Sequence, residues 1–185
     1  MTKALLIIDV QNAVLDGNPT PERQPVVEAA QAEMVGRLRH VLAAARARRW
    51  PVFFVQHGEG PGMPLAVGGR GWQIRQELEP LPNEPVIAKT SCDSFYQTDL
   101  EDRLRAAGVD DLVIGGCQTQ FCIDTACRRA VSLGFDVTLI ADGHMTTDQG
   151  KLRFVDIVAH HNEVLSGFNA GRNKIDLVSA GELLA

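Results

Sequence analysis

The sequence predicts an α/β protein, a three-layer sandwich with a mainly parallel central sheet. Three observations predict it. Short apolar runs of strand length recur along the chain, stretches with helical spacing lie between them, and polar residues stand where the apolar runs end.

Residues 4–10 (ALLIIDV) are nearly all apolar, as suits a strand covered on both faces. Residues 25–49 then place Val27, Met34, Leu38, Val41 and Leu42 at helical spacing, with arginines in the last turns complementing the helix dipole. Residues 51–56 (PVFFVQ) form a second strand. After a Gly/Pro-rich excursion through 58–84, residues 85–89 (PVIAK) form a third. A short helix over 99–107 precedes a fourth strand at 111–115 (DLVIG). A helix over 121–133, stopped by Gly134, leads to a fifth strand at 136–141 (DVTLIA). Residues 151–165 read as helix and 174–178 as an edge strand. Such alternation implies a parallel sheet with helices on both faces. The excursion is the one unusually long connection, and long connections in compact domains are often functional.

A length of 185 residues suits one core rather than two, so a single domain over 1–185 is expected. The net charge of -5 and pI of about 5.5, with basic residues dispersed among acidic ones, leave no electrostatic footprint for nucleic acid or an anionic membrane. No apolar run is long enough to span a bilayer, and the first residues carry no secretory signal. The expected partner is therefore a small molecule, in the cytoplasm. Cys92, Cys117, Cys122 and Cys127 include no C-x-x-C pair, and reduced thiols favour neither a zinc knuckle nor a disulfide framework.

In open parallel sheets, ligands bind beyond the carboxyl ends of the strands. There the chain places Asp9, His57, Lys89, the turn Gly115 to Cys122, and Asp142. Cys122 at the start of a helix is suited to a stabilised thiolate, and an adjacent Lys89 would lower its pKa further. Asp9 can take the thiol proton during attack and return it to a leaving amine. Backbone N–H groups of the turn can receive the developing oxyanion. Each residue alone has an ordinary reading: a core cysteine, a solvated strand-end lysine, a capping aspartate. Their shared rim is what points to chemistry. Cys117, Cys127 and Cys92 read as structural. His57 and His144, just after the fifth strand, keep a Cys–His pair open as a rival, with His160 and His161 late in a helix.

These residues resemble the isochorismatase-like hydrolases. The resemblance runs through LLIIDVQN (5–12), VQH (55–57), GW (71–72), IAKTSCDSFYQTDL (87–100) and VIGGCQTQFCIDTACRRAVSLGFDVTLIADGHMTTD (113–148). It implies the isochorismatase-like (Rossmann-like) fold, with Asp9, Lys89 and Cys122 as a catalytic triad. It also implies a non-proline cis peptide between Cys117 and Gln118, with the N–H groups of Gln118 and Cys122 forming the oxyanion hole. Nicotinamidases of this family hold a metal with an Asp-x-His and two further histidines, whereas this chain offers His57-Gly58-Glu59-Gly60. Neither a metal nor another cofactor is expected. The cysteine favours amide over vinyl-ether chemistry, and residues 93–96, Trp72 and the run 160–162 look closest to the streptothricin-hydrolase-like branch. The resulting expectation is a hydrolase that opens a small amide or lactam through a thioester. His57, Trp72 and Phe95 are the expected substrate-binding wall, and residues 58–83 its cover. A metal-assisted amidase, an ether hydrolase and a catalytically silent interaction domain are the alternatives on the same fold. The family resemblance further implies a homodimer or homotetramer.

Overall fold

The central strand β1 (Lys3–Ile8) alternates its side chains between two cores. Ala4, Leu6 and Ile8 enter one, and Leu5 and Ile7 enter the other. That two-sided burial explains why the run is apolar throughout rather than every second residue. The computed structural model describes residues 2–15 and 20–185.

In chain order the remaining elements are α1 (Gln24–Ala47), β2 (Val52–His57), β3 (Val86–Lys89), α2 (Leu100–Ala106), β4 (Asp111–Cys117) and α3 (Asp124–Ser132). They are followed by β5 (Asp136–Met145), α4 (Phe154–Leu165), β6 (Asn169–Ala170), β7 (Asn173–Val178) and α5 (Ala180–Leu184). Among the described residues, seven strands form one sheet in the order β3-β2-β1-β4-β5-β7-β6, parallel except where β6 pairs antiparallel with β7. The order reverses beside β1, where the chain leaves for β2 on one side and returns as β4 on the other. Such a switch point opens a crevice at the carboxyl ends.

Two cores cover the two faces of the sheet. One collects Leu100 and Leu104 of α2 with Ala126, Ala130 and Val131 of α3. The other collects Met34, Leu38, Val41 and Leu42 of α1 with Ala180 of α5. The expected three-layer α/β sandwich is the observed architecture, and its strands match the apolar runs closely. Three details differ. The fourth strand continues through Gly116 to Cys117, and a helical turn of π type (Thr119–Ile123) precedes α3. The fifth strand runs on to Met145, through a register irregularity against β4 between Ile114 and Gly116, so His144 lies within it rather than after it. Asp142 and Gly143 look like a strand end because a bulge tolerates polar and glycine residues. Finally, β7 is not the edge, since β6 pairs outside it, and α5 follows with a Ser179–Glu182 capping box.

The excursion after β2 is tied down by buried amides. Gln11 Nε2 donates to His57 O (2.9 Å) and Trp72 O (2.7 Å), and Gln56 Nε2 also donates to Trp72 O at 2.9 Å. Gly71 cannot carry a side chain there, because a Cβ would stand 2.3 Å from Pro64 O. Among the described residues, no helix is long and apolar enough to cross a membrane.

Candidate active site

Three neighbouring strand ends and one turn converge. Asp9 follows β1 directly and donates its N–H to Val55 O at 2.9 Å, with a left-handed backbone (φ 52) that aspartate tolerates better than most residues. Lys89 and His57 end β3 and β2 as register partners. Gly116 (φ 133) lets β4 press on β1: a Cβ there would meet Ile8 O at 2.0 Å, so no other residue fits beside Asp9. Beyond it, the Cys117–Gln118 peptide is cis. The Gln118 side chain, donating to Val14 O at 2.7 Å, ties the turn to the segment after β1. The π-type turn then carries Cys122 toward the crevice.

Lys89 lies at the centre of the cluster. Its Nζ is 2.6 Å from Asp9 Oδ2, donates to Cys122 Sγ at 3.2 Å and to Ser91 O at 2.9 Å, and lies 3.4 Å from His57 Nδ1. The lysine and aspartate side chains are 0% and 1% exposed. Neither Asp9 oxygen has a strictly directed hydrogen-bond partner among the described residues, so its contact with Lys89 counts as a charge pairing, and the Cys122 thiol lies close enough to share its proton with the carboxylate.

The electrostatics correct one expectation. Burial, followed by the neighbouring Asp9 charge, pushes the Cys122 thiol up rather than down, and Lys89 opposes this without winning. One ammonium cannot neutralise two buried anions, so the resting cluster is an Asp9–Lys89 ion pair beside a protonated thiol. Burial likewise raises Asp9 against the pull of Lys89. Burial alone would lower Lys89, but the Asp9 charge, with the close contacts to Asp9 and Cys122, outweighs it and raises the ammonium's pKa. Moving the thiol proton to Asp9 leaves the cluster's net charge unchanged, so the arrangement can generate a thiolate without burying an extra charge. His57 is held below its usual range by burial and by Lys89.

Asp9, His57 and Cys122 open onto a cavity of about 400 Å³. Its apolar wall is Ala13, Val14, Met63, Pro64, Leu65 and Phe121; Glu59, Cys92 and Gln118 add polar groups. The excursion after β2 thus provides part of the wall. Trp72 and Phe95 do not line this cavity. Phe95 is 8% exposed and stacks on Phe135 (centroids 6.3 Å apart) in the core beneath α2 and α3. An aromatic after a loop cysteine has no sequence signal to say which side of the chain it faces. Trp72 is half-buried, with its carbonyl anchoring the cover and its indole Nε1 close to Gly58. A cavity of about 480 Å³ at the opposite strand ends, near Arg46, Trp50 and Pro85, holds no thiol. Cys117 and Cys127 are fully buried and their pKa values are raised by that burial. Among the described residues, no three His, Cys, Asp or Glu side chains gather to hold a metal, and His57 with Glu59 lacks a third ligand.

A second polar chain, missed from sequence, braces the other side of the turn. Thr119 Oγ1 is 2.9 Å from His144 Nδ1, His144 Nε2 is 2.9 Å from Asn162 Oδ1, and Asn162 Nδ2 donates to Ala141 O at 3.0 Å. The only sequence signal for it is the spacing of polar residues inside otherwise apolar elements. It fills His144's bonds with Thr119 and Asn162, not with Cys122.

The fold and the site together define an α/β protein with a doubly covered, mainly parallel sheet that brings an acid, a lysine and a thiol together at its switch point. The chain belongs to the isochorismatase family, whose domain matches residues 3–161. It is 37% identical over 146 residues to a streptothricin hydrolase from Streptomyces noursei, covering 79% of this chain and 50% of that protein. The chain therefore spans about half the length of that relative. A ureidoacrylate amidohydrolase from Stutzerimonas stutzeri is 27% identical, covering 86% of this chain and 75% of that one. An isochorismatase from Pseudomonas putida superposes with a TM-score of 0.85 at 26% identity, covering 97% of this chain and 88% of that one.

Proposed function

We propose that the chain is a cysteine hydrolase that cleaves the C–N bond of a small amide or lactam through a thioester. Cys122 Sγ attacks the carbonyl carbon while Asp9 takes its proton. The N–H groups of Gln118 and Cys122 receive the oxyanion, as they would in the hole inferred from the family resemblance. Asp9 then passes the proton to the departing nitrogen, the C–N bond breaks, and the acyl group remains on sulfur. Water, deprotonated by the same carboxylate, releases the acid and restores the thiol. Lys89 keeps the cluster neutral throughout and holds both partners in register. Two relatives, a streptothricin hydrolase and a ureidoacrylate amidohydrolase, support hydrolytic chemistry on carbonyl–nitrogen bonds.

The carrying observation is a single ammonium 2.6 Å from a carboxylate and 3.2 Å from a thiol at the floor of a cavity. The test is a panel of primary amides, lactams and carbamoyl compounds, read by amine release and by the mass of an acyl adduct on Cys122. Cys122→Ala should lower the rate on any accepted substrate by about 10,000-fold or more. A variant within tenfold of the parent would overturn the mechanism.

A further inference from the structure

The charge facing the cavity points to a substrate class. Asp9 is neutralised by Lys89, whose side chain is 0% exposed and sits behind the wall. Burial and that same lysine hold the His57 pKa below its usual range, against the opposite pull of Asp9 and Glu59. Glu59 remains. It lines the cavity and makes no ion pair among the described residues. It is also fixed in place: Oε2 accepts the Leu65 N–H at 2.9 Å, and the Glu59 N–H donates to Leu65 O at 2.9 Å, closing the loop between them. Oε1 has no hydrogen-bond partner among the described residues. Beside it stand Met63, Pro64 and Leu65, which suit an alkyl chain. No lysine or arginine lines the cavity among the described residues.

We infer that Glu59 selects amides whose chain carries a protonated amine, its alkyl stem lying on Met63 and Leu65, and turns away amides that carry a carboxylate. A held carboxylate spends little ordering entropy on binding, and a charge-assisted bond in a partly desolvated cavity outweighs its counterpart in water. The inference rests on Cys122 as the reacting group of this cavity, and it can be tested without knowing the substrate.

The probes are three methanethiosulfonates that differ in charge: 2-aminoethyl (cation), methyl (neutral) and 2-sulfonatoethyl (anion). Initial rates of Cys122 modification are read by peptide mass and normalised to a free thiol in solution. The parent should favour the cation over the anion by about 10-fold or more, with the preference shrinking in high salt. Glu59→Gln, which still accepts from the Leu65 N–H, should bring the ratio close to 1, while Glu59→Asp should retain a preference for the cation. A parent ratio at or below 1 overturns the inference whatever the variants do, and so does a ratio that Glu59→Gln leaves intact. If the bias follows Glu59 yet no amide is turned over, the hydrolase reading fails alone. If neutral amides are hydrolysed through Cys122 without any charge bias in labelling, this inference fails alone.

Discussion

Two buried polar clusters flank the turn between β4 and α3, and they differ in what is left unfilled. On the His144 side, both ring nitrogens have partners, Thr119 and Asn162, and the threonine is fully buried. On the Cys122 side, Asp9 is 1% exposed yet its oxygens have no directed hydrogen-bond partner among the described residues, and the cluster opens onto a cavity. A satisfied buried network fixes geometry, whereas an unsatisfied one facing solvent costs stability and is the kind of defect retained where chemistry is done. The first cluster braces the turn that the second uses.

The largest effect expected from breaking this contrast is at Asp9. Asp9→Asn removes the proposed base and strands the Lys89 ammonium, so activity should fall about 100- to 10,000-fold and chemical denaturation should show a loss of about 3–5 kcal/mol. Adding Lys89→Met removes the stranded charge. The double variant should regain most of the stability and none of the activity, and a double variant as unstable as Asp9→Asn would show that the ion pair serves folding.

Next in size is the pH response of the satisfied cluster. Burial lowers the His144 pKa from 6.5 to about 4, so the folded chain holds the ring neutral while the unfolded chain lets it charge. Its contribution is complete above pH 6.5 and drains as pH falls toward 4, by roughly 3 kcal/mol in all. Denaturation midpoints of His144→Gln should vary less between pH 7 and 4.5 than those of the parent; parallel curves would remove His144 from the account. The smallest effect is expected for Thr119→Val, which deletes one hydrogen bond at constant shape and should cost about 1 kcal/mol by denaturation. Activity should fall only as far as the turn loosens, seen as a change in kcat more than in KM.

How far the sequence reveals this arrangement differs between residues. Asp9, Lys89 and Cys122 are legible because each ends an apolar run or opens the next helix, and a parallel sheet brings such positions to one edge. The direction of the Cys122 pKa is not legible, since it depends on how many charges share a buried volume. The misplacement of Phe95 and Trp72 has the same origin: a loop side chain turns inward or outward according to the partner it meets. Phe95 meets Phe135, forty residues further on, and Trp72 lends its carbonyl to Gln11 and Gln56.

Local pattern alone, then, determined the alternation of strands and helices, the parallel sheet and the three side chains at its switch point, because periodicity and strand ends are short-range properties of the chain. Tertiary structure decided the upward shift of the thiol pKa, the bracing by His144, the walls of the cavity and the place of Glu59 among them. Each of those depends on which distant groups share a desolvated space, and no stretch of sequence encodes that by itself.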